Sequence, residues 1–183
     1  MKGFSRKDQA FSMCGLSCAL CPMKLGGYCP GCGGGEGNQS CTLARCSLER
    51  GGLEYCFQCG QYPCEKYENF DQYDSFLTHQ GRARHVERAR QLGVAQYRQE
   101  LKEKASLLQT LLTEFYTGRK KTFYCVAVDL LELEDIRAVA DQFLSVRDQK
   151  ERERKAVAFL EELAVQRGTT LKLRKKPKKA KQN

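Results

Sequence analysis

Ten cysteines stand between Cys14 and Cys64 at the spacing C-x3-C-x2-C-x7-C-x2-C-x8-C-x4-C-x9-C-x2-C-x4-C. Thiols hold zinc, iron–sulfur clusters or one another, so this spacing bears directly on chemistry. Three pairs, Cys18/Cys21, Cys29/Cys32 and Cys56/Cys59, have two residues between their members. That interval lets both sulfurs reach one ion from a single tight turn. Cys14, Cys41, Cys46 and Cys64 complete the candidate ligand set. The eleventh thiol, Cys125, lies inside the apolar run "FYCVAV" and is expected to be a core residue.

Which of the three uses applies depends on the compartment. The first residues, "MKGFSRKDQAFSM", have no continuous apolar core and do not read as a secretory signal. A cytoplasmic, reducing location is therefore expected, and there dense disulfides are rare. Zinc is the leading reading and an iron–sulfur cluster the alternative. Ten thiolates exceed two four-cysteine sites and fall short of three. Two ions with two spare cysteines, or three ions with a bridging sulfur or a histidine, both fit. The two histidines, His79 and His85, lie in polar, helix-compatible sequence and are weak ligand candidates. "CGLSCALC" also has the spacing of radical S-adenosylmethionine enzymes, but 183 residues leave no room for their half-barrel.

The quoted stretches carry a resemblance. "CGLSCALC", "CPGC", "CTLARC" and "GLEYCFQCGQYPCEKYENF" resemble a prokaryotic cysteine-rich family of unknown function whose members are described as zinc-binding. The family pattern, C-G-L-x-C-x-x-C, C-x-G-C, C-x4-C and C-x-x-C-x-x-[FY]-P-C, is met at all ten positions from Cys14 to Cys64. The resemblance implies metal binding and a prokaryotic cytosol. It implies no particular reaction.

Some element must position these sulfurs, and residues 1–66 have little to pack with. Eleven of the sixteen glycines lie between Cys14 and Cys64, and the aliphatic side chains there are scattered. Ordering those 51 residues costs about 1–2 kcal/mol each in backbone entropy. A bound ion is the expected compensation, which makes 1–66 an irregular metal-stabilised module.

Residues 67–168 read as a mainly helical domain. Val94, Tyr97, Leu101, Ala105, Leu108, Leu112 and Phe115 recur at steps of three and four, the stripe of a long amphipathic helix between Gly93 and Gly118. Shorter helices are expected over 83–92, around Ile136, Val139, Ala140 and Phe143, and around Ala156–Leu163, ending near Gly168. "KTFYCVAVDLL" and "TTLKLR" have the β-branched content or alternation of strands, so a two-stranded sheet, making the domain α+β, is also expected.

The net charge of +9 is placed unevenly. Residues 169–183 carry seven basic and no acidic side chains, and the end of this tail reads as disordered. The tail makes RNA, a ribonucleoprotein or DNA the candidate partner, with a protein partner the other option. No apolar window is long enough to cross a membrane. No nucleophile–base pair and no phosphate-binding loop stands out. The expected function is that of a zinc-binding structural or interaction module rather than an enzyme, with an iron–sulfur redox or sensing protein as the alternative.

Overall fold

A computed structural model describes residues 2–35 and 41–177. Among the described residues there are seven α-helices and no β-strand. Two short helices belong to the cysteine-bearing segment: α1 (Pro22–Leu25) and α2 (Thr42–Glu49). The body is built from α3 (Arg82–Leu92), α4 (Val94–Thr110), α5 (Lys121–Leu130), α6 (Leu133–Phe143) and α7 (Gln149–Gln166).

The long stripe forms as its periodicity requires. Tyr97, Leu101, Leu108 and Phe115 are buried, and Val94, Ala105 and Leu112 are partly so. Gly93 alone separates α3 from α4, with a φ of 83°. The stripe does not stay α-helical to Gly118. It passes at Leu111 into a π-helical turn that ends at Phe115, and Gly118 sits in the connection that follows. Asp148 caps α7 by accepting from Glu151 N at 2.8 Å, and Gly168 ends it in the left-handed region at φ 64°.

The expected sheet is absent from the described residues. "KTFYCVAVDLL" is helix α5, in which every residue from Tyr124 to Leu130 is buried. Its β-branched content is overridden by position. A helix enclosed on all sides, here by α4, α1, the π turn and the turn at Cys18–Leu20, can be apolar all round. "TTLKLR" is irregular and bends at Leu171 and Lys172, and Leu171 anchors it in the core.

One core runs through both halves of the chain. Phe11, Leu20 and Tyr55 from the cysteine-bearing segment pack with the apolar faces of α3 to α7. Phe11 is fully buried and meets Tyr97 edge-on at 4.8 Å. A second, smaller core of Phe4, Met13, Cys14, Leu43 and Ala44 lies within the cysteine-bearing segment itself.

Candidate metal centre

The pairs of cysteines fold as their spacing suggests. Cys18–Leu20 is a 3-10 turn in which Cys21 N donates to the Cys18 carbonyl at 3.1 Å. Cys56–Gln58 repeats it, with Cys59 N donating to the Cys56 carbonyl at 3.0 Å. The Cys29/Cys32 pair turns through Gly31, whose φ is 97° and whose N–H donates to Cys29 Sγ at 3.4 Å. A side chain there would strike the Gln9 carbonyl at 2.5 Å, so glycine is required.

These turns gather the sulfurs into two neighbourhoods. In the first, burial and then the charges of Cys32, Cys14 and Cys21 raise the pKa of Cys18. Cys29 joins through its turn with Cys32. In the second, burial and then the charges of Cys41, Cys46 and Cys64 raise the pKa of Cys56. Cys46, Cys56, Cys59 and Cys64 line a cavity of about 410 Å³. Cys41 immediately precedes α2 and Cys46 lies on it, so one short helix carries two members of that group. Cys14 stands between the neighbourhoods, influenced by both Cys32 and Cys41.

Charge and hydrogen bonding bear on what these thiols can do. Burial pushes Cys14 up to about 12, against the opposing hydrogen bond of Ser12 Oγ, 3.1 Å from its sulfur. Thiols crowded and desolvated in this way stay protonated until a cation favours the thiolate. Arg50 is one such cation at the second neighbourhood. Its guanidinium pKa is raised first by a hydrogen bond with Cys46 and then by the charge of Cys59. The donor chemistry therefore suits a thiolate-bound metal ion. The positions are looser than a closed site: among the described residues, no three His, Cys, Asp or Glu side chains converge at metal-ligand geometry.

Arg6 ties the loops together, and nothing local in the sequence announces it. Its side chain is 1% exposed. Nε donates to the Glu54 carbonyl at 2.9 Å, both terminal nitrogens donate to the Phe11 carbonyl at 3.2 Å, and Nη1 reaches the Cys32 carbonyl at 3.4 Å. The N-terminal strand of chain, the Cys29–Cys32 turn and the approach to Cys56 thus share one guanidinium. A bidentate cation can do this where a neutral side chain cannot.

Three other expected residues are placed elsewhere. Cys125 is buried in the core, 3% exposed, with its thiol pushed up to about 12 by burial and then by the charge of Cys21. His79 stacks on Phe70, with Nδ1 on the Phe70 carbonyl at 3.0 Å and Nε2 on Ser75 Oγ at 3.1 Å. His85 is buried against Ser17 and Asp129. Both rings are thus engaged away from the sulfurs.

The basic tail divides. Lys178, Lys179 and Lys181, with the segment expected to be disordered, lie outside the described residues. Of the remainder, Arg174 is clasped: its backbone N, Nε and Nη2 all donate to Asp74, whose carboxylate is fully buried. No helix among the described residues is long and apolar enough to cross a membrane. In comparisons with protein-family profiles, curated proteins and solved structures, the chain matches none.

Proposed function

We propose that this chain is a zinc-binding protein in which ions hold together an irregular cysteine-rich module packed on a helical body, and that it acts as an interaction module rather than as an enzyme. The observation that carries the reading is the sorting of nine cysteines into neighbourhoods of four and five, with Cys14 between them, each neighbourhood containing a C-x2-C pair on a 3-10 turn. The first set would be drawn from Cys14, Cys18, Cys21, Cys29 and Cys32. The second would be drawn from Cys41, Cys46, Cys56, Cys59 and Cys64. Zinc would supply a divalent charge and a tetrahedral cross-link where apolar packing is sparse. A sulfur-rich donor set, which suits closed structural coordination rather than a site open to water, supports the reading.

Metal analysis of untagged protein purified without oxygen tests this. Two zinc ions per chain in colourless protein are expected. Stripping them with a chelator under reducing conditions should collapse the amide dispersion of residues 14–64. A brown protein with broad visible absorbance would replace zinc with the iron–sulfur reading. Native dispersion retained without any metal would remove the metal from the fold altogether.

A polyanion is the partner that the tail supports. With Arg174 engaged by Asp74, six basic side chains from Lys172 onward remain for phosphates. A log–log salt slope of roughly −4 to −5 for RNA binding follows, at about 0.7–0.9 per neutralised phosphate. A chain ending at Arg174 keeps the clasp and should lose most of that slope. An unchanged slope would move any RNA contact to another surface.

A further inference from the structure

A second cavity, of about 400 Å³, opens on the helical body between α3, α4 and the α5–α6 corner, and none of the ten clustered cysteines lines it. The size is that of a small-molecule pocket. Its floor is the C-terminal end of α5, where backbone carbonyls project without helical partners. Side chains from α3 and α4 cover them. Lys104 Nζ donates to the Leu131 carbonyl at 2.7 Å and lies 3.5 Å from that of Asp129. Arg84 Nη2 donates to the Leu130 carbonyl at 2.7 Å, and His85 Nε2 lies 3.3 Å from the Asp129 carbonyl.

A carbonyl only accepts, so His85 carries its proton on Nε2, and burial holds its pKa below the usual value. Its Nδ1 then accepts from Ser17 Oγ at 3.2 Å, and Ser17 is also the partner of the Tyr97 hydroxyl. Every donor on this floor has an acceptor.

One acceptor on the floor is without a donor. Asp129 is 3% exposed, and its Oδ1 has no hydrogen-bond partner among the described residues. The His85 Nδ1 nitrogen, 4.0 Å away, accepts from Ser17 and so donates nothing to that oxygen. The placement is doubly costly. A buried carboxylate oxygen lacks a partner, and an acid sits in the last turn of a helix, where the dipole disfavours negative charge. Folding does not account for it, because the capping is complete without it.

The walls continue the same sign. Three cationic and six anionic side chains line the cavity, a net of −3. Arg84 and Arg88 are paired with Glu132 and Glu100, at 3.2 and 2.6 Å. Glu87, Glu103 and Glu134 are exposed at the rim. Glu103 and Glu134 share Arg137, at 2.7 and 3.7 Å, and Glu87 lies 4.0 Å from Arg90, exposed pairs that a ligand ammonium can replace at little cost.

We propose that this cavity binds a small organic cation bearing a primary ammonium, in the size class of a linear diamine, with one ammonium on the Asp129 carboxylate and the other among the rim glutamates. A bare metal ion is a poorer occupant, because no three acidic or histidine side chains converge there. The site uses none of the clustered sulfurs, and Asp129 and the rim glutamates that would hold the ligand all lie on the helical body.

The test is isothermal titration of full-length protein with 1,4-diaminobutane, beside 1,4-butanediol and succinate as neutral and anionic molecules of the same length. Saturable binding of the diamine alone is expected. Asp129→Asn should weaken it at least about tenfold, as loss of a buried charge partner does. If that variant folds poorly, Glu87→Gln and Glu134→Gln, both at the exposed rim, should each weaken binding about two- to fivefold. No diamine binding at millimolar concentration would overturn the proposal. So would equal binding of the diol, or undiminished binding by folded Asp129→Asn or by both rim variants.

Discussion

Replacing Arg6 with alanine removes a side chain that touches three loops of the cysteine-bearing segment. The carbonyls of Phe11, Cys32 and Glu54 lose their donor, and the 3.5 Å ion pair with Glu54 is broken. Each buried carbonyl left without a partner costs about 1–3 kcal/mol. Water entering the space left by the guanidinium holds the sum toward the lower end, about 3–5 kcal/mol, which is also the usual cost of removing one partner from a buried charged pair. Against a total stability of about 5–15 kcal/mol, that is a large fraction. With a urea slope of about 1–3 kcal/mol per molar, the midpoint should fall by about 1–5 M. The assay is urea titration of the metal-loaded chain, followed by far-UV circular dichroism and by metal release to a chromophoric chelator. Both signals should move together, because the bonds to Cys32 and Glu54 sit beside the sulfurs. Arg6→Lys should recover less than half of the loss, since a single ammonium cannot span the three acceptors. A loss below about 1 kcal/mol in the alanine variant, or metal release at the wild-type urea concentration, would refute the account of Arg6 as the tie between loops.

Phe11→Ala should cost about 3–5 kcal/mol and lower the helical melting midpoint, because Phe11 is fully buried against Tyr97; a loss under about 1 kcal/mol would mean that the two halves pack independently. Gly15 has a φ of 96°, and a Cβ there would lie 2.4 Å from Val86 Cγ2. Gly15→Ala should therefore lower stability by more than about 2 kcal/mol, while Gly60→Ala, with nothing within 4 Å, stays within about 0.5, both read by thermal unfolding. Burial pushes the Asp74 carboxyl up, but the bonds from Arg174 and His79 outweigh it and hold it below the usual range. A lowered folded pKa stabilises above the unfolded carboxyl value, about 3.9, and that stability is lost as pH falls through the folded value. Arg174→Ala should thus cost about 1–3 kcal/mol at pH 7 and show a smaller acid loss than wild type below pH ~4; a difference constant across pH would count against the clasp.

The helical body was legible wherever a single face is buried. The stripe through Tyr97, Leu101, Leu108 and Phe115 follows from periodicity alone, and its burial agrees. Periodicity fails for α5, because a helix covered on every side shows no polar face to count, and its β-branched residues then resemble a strand. The C-x2-C turns were legible because each is local. Their assembly into neighbourhoods was not, since it depends on Arg6 meeting Glu54, 48 residues away. The cavity on the body left two faint marks: Asp129 is an acid within an apolar run, and Lys104 falls on the stripe between Leu101 and Leu108. Only the fold brings them together with His85 and Ser17.

The clasp between Asp74 and Arg174 spans 100 residues of chain, and that separation is also an interval of time. At about 5–20 residues per second of synthesis, the carboxylate waits roughly 5–20 s for its guanidinium. The last cysteine of the ten, Cys64, has been made before that wait begins. The segment that holds the sulfurs therefore has several seconds to settle while the neighbouring loop, with His79 stacked on Phe70, still lacks its final tether. Of the contacts described, the clasp is among the last that synthesis can complete. Purified chains ending at Leu173 and at Arg174 should differ in protease sensitivity around Ser75 and Phe76, both exposed in the full-length molecule.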